Sequence, residues 1–319
     1  MKLKVPERLV KPLDYLFIFR PTLFFPVWII TLAGYSAFFT SKNETLWWVT
    51  NFNLKIVLNL LFVTVLSGAV FIFNQLKDIN TDKINKKLFL VSEQYVNPET
   101  ASKIAIISLI ISYIYFIITF QFIALVILIL FGALWGYFYN FEPFRLKDRP
   151  ILGFFANIGG SLLLFVAGWS TAGALNFDTL LFSVPYVFAL SSVTLLTMLP
   201  DYNGDAISGK NTFPVKYGKS ITIYLSVIFV FLALIFGIYV DDPVISLPSL
   251  LSIPLFVILL FKNNLPSIFR CIRYPILFLG LTLCVQFPYF FILLALNYYL
   301  SRIYYTSRFN LDYPTFKVD

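Results

Sequence analysis

The chain of 319 residues contains no histidine and only two cysteines, Cys271 and Cys284. The absence of histidine removes the commonest general base, most zinc sites and the usual axial ligand of haem. Two cysteines in or near the last apolar stretch support neither a disulfide framework nor a soft-metal cluster. We therefore expect both cysteines to contribute to lipid-facing or core packing.

Charge is also scarce, because only 13% of the residues are charged and 59% are hydrophobic. A soluble protein of this size could not bury so much apolar surface, so the composition indicates an integral membrane protein. The net charge of +8 raises the possibility of nucleic acid. The basic residues nevertheless occupy short loops, where membrane topology and contact with anionic lipid explain them. We expect the lipid bilayer as a partner, with no nucleic acid and no obligate protein partner evident.

Long continuous apolar runs predict α-helices, since a helix satisfies every backbone polar group in lipid. The sequence predicts an all-α integral membrane protein with nine transmembrane helices. Their expected ranges are 15–39, 54–76, 98–119, 121–139, 150–174, 178–200, 219–240, 243–262 and 275–301.

Lysine and arginine are distributed unevenly over the two sides of this topology. The side of the N-terminus holds most of them, while Arg20 and Lys103 fall inside spans. The opposite side holds Lys42, Lys55 and the tail residues Arg302, Arg308 and Lys317. This asymmetry predicts a cytoplasmic N-terminus and a C-terminal tail on the other side of the membrane.

Two acidic clusters stand at the cytoplasmic ends of the second and sixth predicted spans. Residues four apart share one face of a helix, so Asn74, Asp78 and Asp82 would form one stripe of oxygen ligands. Asp201 and Asp205 would form a second stripe. Such ligands suit Mg²⁺, which prefers one or two carboxylates together with substrate phosphates.

Either cluster alone would be explained as charged residues that end a span at the lipid headgroups. Two clusters on the same side would repel one another unless cations lay between their carboxylates. Mg²⁺ ions bridging the carboxylates to a diphosphate would satisfy this arrangement. The pair of clusters therefore indicates a metal-dependent diphosphate site.

Cationic and hydroxyl groups accompany the acidic clusters. Arg20 lies inside the first predicted span, where an arginine is a functional hypothesis by default, although snorkelling to the headgroups explains it equally well. Residues 137–147 supply tyrosines and cations after the fourth span, and Lys210 and Lys216 follow the second cluster. These residues also fit an interfacial aromatic belt with positive-inside charge. Asn157 in the fifth span favours close helix packing over substrate contact.

Taken together, these residues resemble the UbiA superfamily of intramembrane aromatic prenyltransferases. Asn74-xxx-Asp78-xxx-Asp82 is similar to the family's first motif, usually written NDxxDxxxD. Asp201-xxx-Asp205 followed by residues 209–218 is similar to its second motif, including the GKxTxxVxxG continuation. The segment from Tyr139 to Lys147 resembles the family's loop after the fourth helix, and Arg20-Pro21 resembles the start of its first helix.

The sequence departs from the family pattern at two places. Gln75 replaces the usual aspartate after the first asparagine, so we do not expect it to be a ligand. Residues 87–92 replace the common Arg-Pro-Leu-x-x-Gly continuation, which alters the expected first loop.

The resemblance covers about residues 12–300 and implies one domain, 1–319, in which 301–319 form an interfacial tail. It implies nine helices around a central cavity, with a cytoplasmic cap formed by the loops after helices two and six. The implied holders of Mg²⁺ and the diphosphate are Asn74, Asp78, Asp82, Asp201 and Asp205. The implied diphosphate contacts include Arg20, Lys147 and Lys210, with Tyr139 positioning substrate. Asp78 is the central catalytic candidate, and Asp201 and Asp205 are also candidates for accepting a proton.

The resulting hypothesis is Mg²⁺-dependent transfer of a prenyl group from a prenyl diphosphate to a small hydrophobic or aromatic acceptor in the membrane. The metal and the basic groups would stabilise the departing pyrophosphate, and apolar walls would exclude water from the carbocation. Within the family, a prenylated glycerol phosphate, a carotenoid, a sugar phosphate or a tetrapyrrole are alternative acceptors. The lack of histidine weakens the haem-prenylating branch.

Two alternatives outside this activity are less consistent with the sequence. An ion-coupled transporter would place its carboxylates near the bilayer midplane, whereas these lie at span ends on one side. A catalytically inactive relative serving as an assembly factor does not explain aspartates at all four motif positions.

Overall fold

The computed structural model describes residues 5–49, 53–84, 89–207 and 209–315, and this part of the chain is helical without a β-strand. Its α-helices in chain order are α1 Glu7–Phe17, α2 Phe24–Thr40, α3 Leu54–Ile84, α4 Phe89–Ser92, α5 Pro98–Ile118, α6 Phe122–Phe131, α7 Pro150–Ala172, α8 Phe177–Thr197, α9 Tyr202–Ile207, α10 Phe213–Tyr217, α11 Lys219–Tyr239, α12 Pro243–Lys262, α13 Leu265–Gln286 and α14 Pro288–Phe309. Short 3₁₀ turns occur at Pro21–Leu23 and Leu146–Asp148, and a π-helical turn at Gly132–Phe138 extends α6.

Eight segments of the described chain are long and apolar enough to cross a membrane. They are Arg8–Thr40, Leu54–Lys83, Pro98–Ile118, Pro150–Ala172, Phe177–Thr197, Lys219–Tyr239, Pro243–Lys262 and Leu265–Gln286. The apolar segment Phe122–Phe138 is shorter, and α14 is long but more polar. The all-α membrane fold is confirmed, whereas the count of nine stays a prediction.

Successive long helices run in alternating directions, so both acidic clusters lie at one end of the bundle, which we call the acidic end. Asp78 on α3 pairs there with Lys147 and Lys210. At the opposite end, Lys55 donates to the carbonyl of Thr171 at 3.1 Å. These long-range contacts fix which loops share an end.

The centre of the bundle is α2, which is apolar all round and buried along most of its length. A helix of this type belongs inside a protein rather than at its surface. It crosses α7 closely at two glycines, because a Cβ on Gly34 would lie 1.9 Å from the carbonyl oxygen of Phe165 and one on Gly168 would lie 1.8 Å from that of Thr31. By contrast α5 and α12 expose many large aliphatic side chains, as lipid-facing helices do.

The first predicted span, 15–39, lies within the membrane-length segment Arg8–Thr40, but it is not one continuous helix. Helix α1 ends at Phe17, and α2 begins at Phe24. Arg20 lies between them in the left-handed conformation with φ 57°. Pro21 explains the interruption, since proline has no N–H and disfavours α-helical geometry in the preceding residue. Arg20 therefore lies in the short connection between α1 and α2 and not within a helix.

The last predicted span, 275–301, is also wrong, because two helices replace it. Asn264 caps α13 by accepting a hydrogen bond from the Ser267 N–H at 3.0 Å, and Gln286 ends that helix. Pro288 then starts α14, which returns toward the acidic end. The described tail therefore lies at the acidic end, opposite to where the sequence placed it.

The cytoplasmic cap stays a prediction. Its first loop includes residues 85–88, which lie outside the described residues. Part of segment 87–92, where the sequence differs from the family pattern, therefore also lies outside them. The short helices α4, α9 and α10 occupy the described parts of the two loops. The basic residues at positions 2, 4, 86, 87 and 317, which entered the charge argument, also lie outside the described residues.

Candidate active site

A cavity of about 920 Å³ enters the bundle from the acidic end. Charged side chains surround its mouth, and its inner walls are apolar, with residues such as Val27, Ile30, Leu164, Leu190 and Phe256. Its far wall includes Tyr186, whose hydroxyl donates to Asp242 in the loop between α11 and α12. The cavity thus joins a polar mouth to an apolar interior deep in the bundle.

Every site residue predicted from the sequence lines this cavity. They are Arg20, Asn74, Asp78, Asp82, Tyr139, Lys147, Asp201, Asp205 and Lys210. They come from the α1–α2 break, the end of α3, the loop after α6 and the segment around α9. The fold therefore brings together residues that are up to 190 positions apart in the sequence (Arg20 and Lys210).

Asp78 is the carboxylate on which the cations converge. The Nζ atom of Lys147 lies 2.8 Å from its Oδ1, and that of Lys210 lies 3.6 Å from the same oxygen. All three side chains are largely buried, with exposed fractions of 12% for Asp78, 6% for Lys147 and 18% for Lys210. Burial lowers the pKa of Lys147, while the neighbouring Asp78 acts in the opposite direction. The first acidic motif is thus coupled to both later loops.

Asn140, which the sequence did not single out, connects Asn74 and Lys147 in this cluster. The Asn74 amide donates to Asp78 Oδ2 at 3.2 Å and to Asn140 Oδ1 at 2.9 Å. Lys147 also donates to Asn140 Oδ1, at 3.3 Å. The amide of Asn140 in turn donates to the carbonyl of Trp135 at 2.7 Å. The carbonyl lies in the π-helical turn, an irregularity often found at functional sites. The available sequence signal was a polar residue inside an aromatic segment.

Tyr139 is half-buried and lines the cavity. The amide of Asn157 donates to its hydroxyl at 3.3 Å. Burial raises the pKa of Tyr139 to about 12, so the phenol is neutral at physiological pH. Asn157, which the sequence assigned to helix packing, also lines the cavity.

The second acidic motif lies at the start of α9 and not on a continuation of α8. Helix α8 ends at Thr197, and the Asp205 N–H donates to the carbonyl of Asp201 at 2.8 Å. This i to i+4 bond places the two residues one helical turn apart. The backbone N–H of Lys210 donates to the carbonyl of Asp205 at 2.9 Å, which returns the lysine toward the cavity.

Gln75 uses its side-chain N–H groups to bond backbone carbonyls, which the carboxylate of an acidic residue could not do. It is buried, and its Nε2 donates to the carbonyls of Ile18 at 2.7 Å and Phe71 at 3.2 Å. Ile18 is two residues before Arg20. The Gln75 amide therefore holds the chain at the α1–α2 break.

The donor set fits Mg²⁺, although no three acidic side chains in the described chain converge as a complete metal site would require. The mouth offers the carboxylates of Asp78, Asp82, Asp201 and Asp205 against three cations, Arg20, Lys147 and Lys210. Mg²⁺ needs few protein ligands, because substrate phosphates and water complete its shell. Two ammonium groups drawn to Asp78 also show that this position favours positive charge.

Fold and site together define a multi-pass helical membrane protein with a charged mouth over an apolar cavity. The chain belongs to the UbiA prenyltransferase family, whose sequence profile matches residues 27–273.

Three relatives illustrate the similarity. A protein of Oryza sativa subsp. japonica named as probable homogentisate phytyltransferase 2, chloroplastic, is 29% identical over 182 residues, which are 54% of this chain and 46% of that protein. The chain thus matches less than half the length of this curated relative.

Solved structures share the fold. A UbiA homologue from Archaeoglobus fulgidus bound to GPP and Mg²⁺ has a TM-score of 0.63 at 21% identity, covering 86% of this chain and 99% of that one. A structure described for digeranylgeranylglyceryl phosphate synthase has a TM-score of 0.60 at 20% identity, covering 88% and 98%.

Proposed function

We propose that this protein is a Mg²⁺-dependent intramembrane prenyltransferase that moves a prenyl group from a prenyl diphosphate to a lipophilic acceptor. The observation that carries the proposal is the meeting of both acidic motifs, Lys147 and Lys210 at the mouth of one apolar cavity. The family membership and the GPP and Mg²⁺ bound to the Archaeoglobus homologue support it.

The acidic residues would hold the metal, and the cations would hold the diphosphate. The oxygen ligands for the metal would come from residues that line the cavity, namely Asn74, Asp78, Asp82, Asp201 and Asp205. Bound Mg²⁺ would supply electrophilic stabilisation of the charge that develops on the leaving pyrophosphate. The ammonium groups of Lys147 and Lys210 are flexible point charges and can pass from Asp78 to phosphate oxygens. Arg20 offers a forked donor that suits a phosphate.

The cavity would control the chemistry after ionisation. The allylic C–O bond breaks with its electron pair on the pyrophosphate, the acceptor forms a bond to the allylic carbon, and the acceptor loses a proton. Asp201 and Asp205 are candidates for taking that proton. The apolar walls lower the local dielectric and keep water from the cation. The neutral Tyr139 hydroxyl at the mouth would position substrate by hydrogen bonding.

The lining of the cavity favours an acceptor without its own phosphate. Among the described lining residues, the basic ones are Arg20, Lys147 and Lys210, all at the mouth. A second phosphate group would need further cationic groups to balance its charge, and the other polar lining residues are neutral or acidic. An aromatic or quinone-type acceptor needs none, and the rice relative is named as a probable homogentisate phytyltransferase. A glycerol phosphate acceptor is the second candidate, supported by the synthase fold relative.

The test uses the purified full chain with geranyl diphosphate, Mg²⁺ and a membrane lipid extract. Mass spectrometry should detect a new prenylated species that disappears when EDTA replaces Mg²⁺. Asp78→Asn should reduce product formation at least a hundredfold, whereas Glu99→Gln, at an exposed carboxylate paired with Lys103, should not. Undiminished product from Asp78→Asn would sink the site assignment, and metal-independent solute flux without product would favour a transporter.

A further inference from the structure

The C-terminal segment forms one wall of the cavity mouth. Tyr305, Phe309, Leu311 and Tyr313, from the end of α14 and the residues after it, line the cavity. This segment lies beyond residue 273, where the family match ends. The two solved relatives above are covered almost completely while 86% and 88% of this chain align, so this chain has residues that they lack.

The end of α14 is fastened to α1 by a buried carboxylate. Asp14 accepts hydrogen bonds from the Tyr304 hydroxyl at 2.6 Å and from Arg308 Nε and Nη2 at 3.2 and 3.0 Å. The Tyr304 ring stacks on Phe17 with a centroid separation of 3.7 Å. Because the Asp14 side chain is only 1% exposed, its bonds to Arg308 are well shielded from water. This wall is therefore a fixed part of the mouth.

A second set of contacts aligns the segment with the α1–α2 break. Asn297 donates to the carbonyl of Pro21 at 2.8 Å, and the Tyr313 hydroxyl donates to Thr22 Oγ1 at 3.2 Å. The rings of Tyr305 and Tyr313 meet edge to face at 5.2 Å. Tyr313 thus contacts the second residue after Arg20 directly, and Tyr305 contacts the ring of Tyr313.

Arg20 lines the same cavity as both acidic side chains of α3 and the C-terminal wall. Asp78 and Asp82 contribute carboxylates to this lining, and Tyr305 and Tyr313 contribute phenols. An anion bound to Arg20 would meet repulsion from the carboxylates wherever no metal lies between. From the C-terminal wall, two phenol hydroxyls could donate hydrogen bonds to the same anion.

We propose that Tyr305 and Tyr313 are diphosphate-binding residues that donate hydrogen bonds to phosphate oxygens held by Arg20. This inference rests on the proposed function, and it assigns a binding role to a segment outside the family match. The hydroxyls supply donors to oxygens that face away from the acidic motifs, at positions where a further carboxylate would repel the substrate.

The test compares tyrosine-to-phenylalanine variants of the full chain, which keep the ring and remove the hydroxyl. Tyr305→Phe, Tyr313→Phe and their combination are measured against Tyr299→Phe, an exposed tyrosine on the same helix. Binding of geranyl diphosphate and of inorganic pyrophosphate, each with Mg²⁺, is measured by calorimetry. A hydrogen bond to a charged group is worth enough that each site variant should weaken both probes by roughly tenfold. Tyr299→Phe should bind both like wild type.

Thr22→Val separates a direct role from an indirect one. It removes the acceptor of the Tyr313 hydroxyl but leaves that hydroxyl free to donate to a phosphate. We expect a smaller loss of binding than that of Tyr313→Phe, because only the alignment of Tyr313 is weakened, and a loss of equal size would overturn the direct role of Tyr313.

Three further outcomes would overturn the proposal, and each has a different meaning. Wild-type affinity in the double variant would show that the hydroxyls do not bind diphosphate. Weakened geranyl diphosphate with unchanged pyrophosphate would show that the rings contact the prenyl chain instead. Failure of the wild-type protein to bind either probe would refute the proposed function itself, and with it this inference.

Discussion

At the scale of single residues, Asn140 shows how the site is kept in register. Its side-chain oxygen accepts hydrogen bonds from the Asn74 amide and the Lys147 ammonium group, while its own amide donates to the carbonyl of Trp135. The two groups that donate to Asp78 are thereby connected to the π-helical turn that contains Trp135. A motif comparison cannot find such a residue, because its role depends on contacts between α3 and a loop 66 positions away.

The same scale offers a prediction at Gln75. Gln75→Glu keeps the shape of the side chain but removes the N–H that donates to Ile18, and it adds a buried carboxylate beside the acidic motif. Leaving a buried acceptor unsatisfied costs about 1–3 kcal/mol, so the free energy of unfolding should fall by at least that amount. Loosening of the Arg20 break should also weaken binding of pyrophosphate with Mg²⁺.

Thermal unfolding in detergent and calorimetry measure these two effects. Gln94→Glu is the matched control, because Gln94 is exposed and lies outside the cavity lining. A melting temperature and an affinity equal to those of the control would contradict the role assigned to Gln75.

At the scale of helices, the crossing of α2 and α7 sets the shape of the cavity, since residues of both line it. Gly168→Leu would place a branched side chain where a Cβ alone already meets the carbonyl of Thr31 at 1.8 Å. Separation of the helices should destabilise the protein by more than the roughly 1–3 kcal/mol typical of overpacking and should reduce the yield of folded protein.

Gly136→Ala is the control variant, because Gly136 lies outside this crossing, in the π-helical turn. The methyl group that alanine adds there would lie 3.6 Å from its nearest neighbour, an ordinary contact. Size-exclusion profiles and melting temperatures of the two variants report the difference. A Gly168→Leu protein as stable as Gly136→Ala would show that the α2–α7 crossing tolerates separation.

Helix boundaries also show what apolar runs can and cannot predict. The ranges of α5, α7, α8, α11 and α12 agree with the expected spans to within a few residues, since each run is bounded by polar or charged residues. The breaks at Arg20 and Phe287 were missed, because both fall inside continuous apolar runs. Proline at the start of α14 could not be told from proline tolerated within α12, where Pro248 and Pro254 interrupt no helix.

At the scale of the whole molecule, the two acidic clusters line one cavity, as the motif spacing indicated, because the even number of intervening spans puts both clusters at one end. The participation of the C-terminal segment was not predictable in the same way. Because the helix break near Phe287 was not predicted, the tail with Tyr305 and Tyr313 was expected on the wrong side of the membrane.

The corrected topology strengthens the charge asymmetry and yields a prediction about orientation. With α14 returning to the acidic end, Arg302 and Arg308 join the other basic residues there. Among the described lysines and arginines, Lys42 and Lys55 are the two in loops or helix ends on the opposite side. By the positive-inside rule the acidic end and both described chain ends should face the cytoplasm.

Single cysteines test this orientation in a background where buried Cys271 and Cys284 are replaced by serine. In cells, a membrane-impermeant maleimide should label Lys42→Cys, and in inverted vesicles it should label Lys11→Cys and Asp312→Cys. Labelling of Asp312→Cys together with Lys42→Cys in intact cells would restore the tail to the far side and contradict the return of α14. Complete reversal of the pattern would instead refute the cytoplasmic orientation while leaving the bundle intact, because the two chain ends would still share a side.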